Sequence, residues 1–328
     1  MTYIFGDLNG NGEAHEMMIS PQGDVPPFFT WDAFHEELEK VYNSFGDYSP
    51  HNDLIAEHVE SLELDVDGAE IDTYLAYLDA VPRIPDVMYD ITNNGDYDKM
   101  VLVPMLLASS THTQEVADQV AEFGHLAGDV ELVVTEAFFE VPYMRERVKT
   151  AVLSMTDYLY QAMPAGIDDS EIGILLVAHG TPYVPPLDAY GYQEGEIFSN
   201  LPLTEDLFHD EVMAELPWPA RTGRMNYASP SIEESLAAFE ADGISHVLVV
   251  PSAFPTAAMH TMWDVAEPAI GRAVTPDEGI VAHTHPSGMT VYYTSDGYAD
   301  LDEGREQFRA GLAFIAEIGV IEALSGDI

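Results

Sequence analysis

The chain has 328 residues, is 47% hydrophobic and carries 58 acidic against 11 basic residues, for a formal net charge of -47. That length admits one large domain or two ordinary ones. The apolar runs fall far short of the about 20 residues of a membrane span, and a chain without cysteine makes no disulfide, thiolate nucleophile, zinc knuckle or iron–sulfur site, which leaves His, Asp and Glu as metal ligands.

So acidic a surface lacks the basic face that nucleic acid or an anionic membrane requires. It reads as a hydrated carboxylate coat fit for high salt, because the Debye length falls to about 3 Å at molar ionic strength and self-repulsion is screened. A dedicated cation-binding surface is the other reading.

The opening stretch, "MTYIFGDLNGNGEAHE", has neither a basic n-region nor a long apolar h-region, so the expectation is a cytoplasmic protein; a leader already removed gives the same appearance. "DLNGNGEAHEMM" places Asp7, Asn9, Asn11, Gly12 and Glu13 as in a calcium loop, but the twelfth position is Met18 and not a bidentate Glu, so a polar Asn-Gly turn is the competing reading. Further on, "IPDVMYDITNNG" predicts a helix with Pro85 near its start and Gly95 at its stop. "KMVLVPMLL" predicts a strand, "TQEVADQVAEF" a helix, "VELVVTEAFF" a strand and "MRERVKTAVLSMTDYLYQAM" a long helix.

In the second half, "IGILLVAHG" is a short apolar run closed by Gly180, as a buried parallel strand reads. "SPSIEESLAAFEADG" predicts a helix with Ser229 as N-cap, Pro230 in the first helical position, Ile232, Leu236 and Phe239 on one face, and Gly243 as the stop. "HVLVVPSAF" is another buried strand, ended by proline. Strand, helix, strand at this spacing predicts a parallel α/β sheet.

Two stretches say nearly the same thing. "VLVPMLLASSTHTQEV" and "VLVVPSAFPTAAMHTMWDV" each run from an apolar strand through a proline and small residues to His-Thr and an acidic residue, with Pro104 eight positions before His112 and Pro251 nine before His260. The expected architecture is therefore α/β: two pseudo-symmetric, Rossmann-like halves, each a parallel sheet flanked by helices, with a cleft between them. The boundary falls near "MPAGIDDS", giving halves 1–165 and 166–328, the first of them diverged because nothing in it matches "LLVAHG".

Ligands of open α/β sheets bind outside the carboxyl ends of the strands. His179 directly follows the strand "ILLVA", His260 follows "HVLVVP" across a loop of small residues, and His112 holds the same place in the first half. Two imidazoles facing one cleft can hold a first-row divalent metal or take up protons. If "MHTMWDVAE" is helical, Asp264 at i+4 and Glu267 at i+7 form a polar line with His260, unless they are an ordinary solvated face. Tyr183, Met225, Tyr227, Phe254, Met259 and Trp263 can line an apolar wall for a flat ligand or can simply be core.

With those residues in place, "LLVAHGTP", "RTGRMNYASPSIEESL" and "VLVVPSAFPTAAMHTMWD" resemble the class II tetrapyrrole chelatases, the ferrochelatases and the sirohydrochlorin cobalt or nickel chelatases. The resemblance covers about residues 84–120 and 170–270, and lies in the order and spacing of the motifs more than in any one of them. It implies a chelatase-like fold in both halves, with the main site in the second. It implies that His179 is the metal-binding, proton-accepting histidine and His260 the second site residue; histidine there, and not glutamate, leans toward the sirohydrochlorin type. Asp264 matches an acidic residue one turn on, Met262 and Trp263 a Leu-Tyr pair, and Arg221 and Tyr227 an "SRxG…W" stretch. The sequence departs from the pattern at Val177, at Ala258 and throughout "VPPLDAYGYQEGEIF".

The implied activity is insertion of Co2+, Ni2+ or Fe2+ into a tetrapyrrole, with the divalent metal as substrate, no organic cofactor, and a monomer sufficient because the halves are fused. His179, His260 and Asp264 would act in catalysis; His179, His260, Glu267 and His112 would meet the metal; Tyr183, Arg221, Tyr227, Phe254 and Trp263 would meet the ring. His112 is either a relic of the repeat or a second, weaker metal position. The chemistry is sound for these residues: two pyrrole N–H protons must leave, and a histidine of ordinary pKa about 6.5 accepts protons near neutrality. Sirohydrochlorin, an octacarboxylate, would need cations, for which Arg221, Arg224 and Arg272 are the candidates. The alternative is a non-catalytic metal- or tetrapyrrole-binding protein on the same fold.

Overall fold

The structure, a computed structural model, describes residues 50–77, 82–95, 97–107, 111–179, 201–225, 230–258 and 260–325. Asp7 and its neighbours, Tyr183, Tyr227, Met259 and the loop after His179 lie outside the described residues. In chain order the elements are α1 (Pro50–Glu60), α2 (Ile84–Asn94), β1 (Lys99–Leu102), α3 (Thr111–Phe123), β2 (Glu131–Val134), α4 (Pro142–Tyr160), β3 (Ile172–Ala178), α5 (Leu201–Met213), β4 (Ala220–Arg224), α6 (Ile232–Ala241), β5 (His246–Val250), a π-helical turn (His260–Val265), α7 (Ala266–Ile270), β6 (Val281–Thr284), β7 (Thr290–Tyr293) and α8 (Asp302–Ser325). No helix among the described residues is long and apolar enough to cross a membrane.

Two compact units account for the chain. One, which takes in the described residues of 155–193 and 213–300, holds a five-stranded sheet in the order β4-β3-β5-β7-β6. β4, β3, β5 and β7 are parallel and β6 is antiparallel to β7. All seven residues of β3 are buried, as an apolar run without alternation requires of a central parallel strand. Gly173 is bare for a reason: an added Cβ would lie 2.7 Å from the Phe239 ring, which packs there from α6. Leu175, Val177, Ile232, Leu236, Phe239, Val247, Val249, Val265, Ala266 and Tyr293 share one core, so one face of the sheet is covered by α6, the π-turn and α7.

The start of α6 corrects the expected cap. Ser231, not Ser229, is the N-cap: its hydroxyl accepts from the Glu234 amide at 3.2 Å while Glu234 accepts from the Ser231 amide at 2.8 Å. The reason is the partner three residues on, glutamate for Ser231 and Ile232 for Ser229. The stop is as expected, with Gly243 at φ 79° just past the helix.

The other unit takes in the described residues of 52–154, 194–212 and 301–328. Its two-stranded parallel sheet pairs Lys99 through Leu102 with Glu131 through Val134. Ile84, Met88, Ile91, Met100, Val116 and Ala127 form its core between α2, α3 and the strands. The expected division into halves 1–165 and 166–328 is not the one found: the cut lies inside α4, and α8 joins the strands of the first half. Small residues let α8 approach closely. A Cβ on Gly319 would sit 2.6 Å from Val101 and 2.8 Å from Thr135, and one on Gly311 would strike the Met144 sulfur. Among the described residues the two sheets, with two and five strands, share the β–loop–helix piece of the sequence repeat and differ around it.

Candidate active site

The strand order fixes where a ligand can sit. The connection from β3 leads outward to β4, and the next one crosses back to β5 on the other side of β3. A crevice opens at the carboxyl ends of neighbouring strands whose connections depart in opposite directions. His179 is the residue after β3 and His260 follows β5, so both strands bordering this switch point deliver a histidine.

The end of β3 is firmly held. The Val177 carbonyl accepts from the Ser252 hydroxyl at 3.0 Å and the Ala253 amide at 3.2 Å, and the Ala178 carbonyl accepts from the Met225 amide at 3.2 Å. His179 thus leaves the sheet from a backbone pinned on both sides.

His260 opens the π-turn, a widened helical turn of the kind that recurs at functional sites. The expected helix is present from His260 on, but its first part has this π register. Thr261 caps the entry: its hydroxyl accepts from the Ala258 amide and donates to the Ala258 carbonyl, each at 3.0 Å.

The imidazoles of His179 and His260 lie edge to face with ring centroids 5.3 Å apart, and the buried Phe254 ring packs 6.2 Å from the first and 5.7 Å from the second. The Nδ1 of His260 is 2.7 Å from Oδ2 of Asp264. With Nδ1 donating to this carboxylate, the lone pair of the neutral imidazole lies on Nε2. Among the described residues no group of three or more His, Asp or Glu side chains could hold a metal ion.

The remaining candidates divide. Trp263 is half-buried in the π-turn; Glu267 is exposed on the first turn of α7. Met225 is core. His112 is the second residue of α3 in the other unit, so both copies of the repeat put histidine at the start of a helix behind a parallel strand. Arg221 is not at the strand ends: it is level with Leu175, over the Phe239 ring, and ion-paired with Asp242 at 2.5 Å. Arg272 pairs with Glu278 at 2.8 Å. Arg224 is the arginine at the carboxyl end of β4, level with Ala178.

Sequence reasoning missed the support from beyond β7. Tyr298 donates its amide to the Phe254 carbonyl at 3.2 Å, Ala299 to the Pro255 carbonyl at 2.7 Å, and Oδ2 of Asp300 accepts from the amides of Ala257 and Gly297, both at 2.7 Å. These bonds run along the loop that carries Phe254 and leads to His260. Nearby, burial lifts the Asp296 carboxyl above the usual carboxylate range, opposed by a 2.7 Å hydrogen bond from the Thr294 hydroxyl. The only visible signal was an Asp-Gly pair behind a short aromatic strand, in "TVYYTSDGYAD".

Two imidazoles at the switch point of a parallel sheet, one beside a carboxylate, are groups that can hold a metal or accept protons. The sequence pattern of the Ferrochelatase family matches residues 32–282, three quarters of the chain, His179 and His260 included. The chain belongs to this family and is a metal chelatase, a lyase that inserts a divalent metal, its substrate, into a tetrapyrrole. It is 22% identical over 312 residues to the coproporphyrin III ferrochelatase of Leifsonia xyli subsp. xyli (strain CTCB07), covering 85% of this chain and 79% of that one. Among solved structures, SirB from Bacillus subtilis with Fe3+ aligns with a TM-score of 0.40 at 12% identity, over 61% of this chain and 70% of that chain.

Proposed function

We propose that the chain inserts Fe2+ into coproporphyrin III or a closely related tetrapyrrole, with His179 and His260 as the working pair. The separation of 5.3 Å between their rings carries this reading. Metal insertion exchanges two pyrrole N–H protons for one divalent ion. In this reading His179 accepts a pyrrole proton and His260, through Nε2, holds the partly dehydrated metal at the ring face. Asp264 fixes the His260 tautomer and, with the exposed Glu267, leads the released protons or the incoming metal along the turn to solvent. Phe254 and Trp263 meet the macrocycle, as do Tyr183 and Tyr227.

The metal and ring are chosen on the relative's name and on charge. Arg221 and Arg272 are committed to carboxylates of the chain itself, which favours a ring with few carboxylates over sirohydrochlorin. Arg224, at the level of the site, meets one of them. The acidic coat is an adaptation to high salt, and His112 is a remnant of the repeat.

The reading is tested by anaerobic absorbance in molar salt, crossing Fe2+, Co2+ and Ni2+ with coproporphyrin III, protoporphyrin IX and sirohydrochlorin. Fastest multiple turnover with Fe2+ and coproporphyrin III supports it. Preference for Co2+ or Ni2+ with sirohydrochlorin overturns the choice of substrate, and a stoichiometric shift without turnover overturns the use of the pair in catalysis.

A further inference from the structure

We propose that Tyr293 is a positioning residue that holds the π-turn in the place from which His260, bonded to Asp264, faces His179; the catalytic meaning of that arrangement rests on the reading above. A helix that departs from the i to i+4 pattern leaves carbonyls without their usual amide partners, and buried carbonyls must find donors elsewhere. Two carbonyls of the turn do so outside the helix. The Met262 carbonyl accepts from the Val274 amide at 2.9 Å, and the Thr261 carbonyl accepts from the Tyr293 hydroxyl.

Tyr293 is well placed for this. It is the last residue of β7, in register with Val249 of β5, the strand that leads to His260. Its ring is fully buried in the core that includes Val265, the last residue of the same turn, and Ala266, the first of α7. Thr261, whose carbonyl it serves, is fully buried and stands next to His260. A buried phenol needs a partner, and this one reaches across from the neighbouring strand to the turn. Burial, and then the charges of Asp296 and Asp264, keep the phenol protonated far above neutral pH, so the donor persists throughout the working range. Without the hydroxyl the Thr261 carbonyl loses this donor from β7, and the turn loses a tie next to His260, so the His260 ring and its bond to Asp264 become mobile.

Tyr293→Phe tests this, since it keeps the ring and removes only the donor. Tyr292→Phe is the control: it removes a hydroxyl from the adjacent residue, whose partner is His246 at 3.2 Å. Histidine ring 15N NMR on the metal-free protein in molar salt supplies a readout independent of turnover. The His260 Nδ1–H bonded to Asp264 gives an exchange-protected resonance, assigned by its loss in Asp264→Asn. The expected result is loss or broadening of that resonance in Tyr293→Phe but not in Tyr292→Phe. A roughly tenfold fall in kcat with little change in KM for the tetrapyrrole accompanies it, while circular dichroism shows an intact fold. An unchanged resonance and kcat in Tyr293→Phe overturn the proposal while leaving the histidine pair standing. A wild-type spectrum without any Asp264-dependent resonance overturns the pair itself, and the proposal with it. An unchanged kcat beside a lost resonance overturns the catalytic role of the pair.

Discussion

The ring of His179 stands edge to face with that of His260, 5.3 Å between centroids, although 81 positions separate them in the chain. Adjacent parallel strands bring them together, because β3 and β5 are hydrogen-bonded neighbours and each histidine lies beyond the carboxyl end of its strand. His260 has a carboxylate at hydrogen-bond distance in its own turn, Asp264 at 2.7 Å. The proposed division between proton acceptor and metal holder gives that carboxylate the task of orienting His260.

Asp264→Asn tests that division. The amide keeps the shape but removes the charge and permits the wrong tautomer of His260. Loss of such a carboxylate partner costs about 10–100-fold in metal affinity or activity. The expected outcome in steady-state insertion assays is a kcat lower by that factor, with KM for the tetrapyrrole nearly unchanged. Wild-type kinetics would show that the carboxylate does not orient His260.

Gly297→Ala probes the support of the His260 loop. A Cβ there would press on the Pro255 carbonyl and the Thr256 amide nitrogen, backbone atoms that cannot swing aside as a flexible side chain can. The loop must move, at a cost of about 1–3 kcal/mol for overpacking. The expected outcome is a Tm lower by a few degrees together with weaker metal binding at the pair. An unaltered Tm and affinity would mean that the close approach is not needed.

His58, in the other unit, gives the fold a pH dependence. It is buried on α1, its ring edge-on to Phe308 at 5.2 Å, and its Nδ1 accepts from Arg309 Nε at 3.2 Å. Burial first, then the charges of Arg309 and Arg305, lower it from 6.5 to about 4. Between those values the unfolded chain binds this proton and the folded chain does not. The stability present above pH 6.5 is therefore lost progressively as the pH falls toward 4, by on the order of 2 kcal/mol, less where salt screens the arginines. Thermal melts of wild type and His58→Gln, which keeps an acceptor for Arg309, should diverge between pH 6.5 and 4, with the wild type falling more steeply. Parallel curves would remove His58 as the cause.

Salt should stabilise the fold strongly. With a formal net charge of -47, self-repulsion opposes the compact state and is screened as ionic strength rises. Tm should climb steeply between 0.1 M and 2 M KCl, and more than in a neutral osmolyte at matched water activity. A flat response would mean that the carboxylates are offset within the fold.

Legibility in the sequence followed locality. "ILLVA" and "HVLVV" announced buried strands because an uninterrupted apolar run closed by Gly or Pro has few other uses, and both histidines were placed from that alone. Ser231 was also readable, since Ser-x-x-Glu begins there and not at Ser229. The π register of the His260 turn was not, because its outside donors, Val274 and Tyr293, stand 12 and 32 positions from the carbonyls they serve. Nor was the return of α8 to the strands of the first half, because Gly311 and Gly319 weaken the helical pattern and serve contacts with Met144, Val101 and Thr135, all from far earlier in the chain. Arg221 matched a motif by position, yet strand register puts it three residues short of the carboxyl end of β4 and beside Asp242.

The most direct measurement is the rate of metal insertion by His179→Ala, followed anaerobically by absorbance with Fe2+ and coproporphyrin III in molar salt beside the wild type. The account predicts multiple turnover by the wild type and its loss in the variant, with circular dichroism and Tm showing an intact fold. Turnover retained in a folded His179→Ala protein would contradict it, because the proton acceptor would then lie elsewhere.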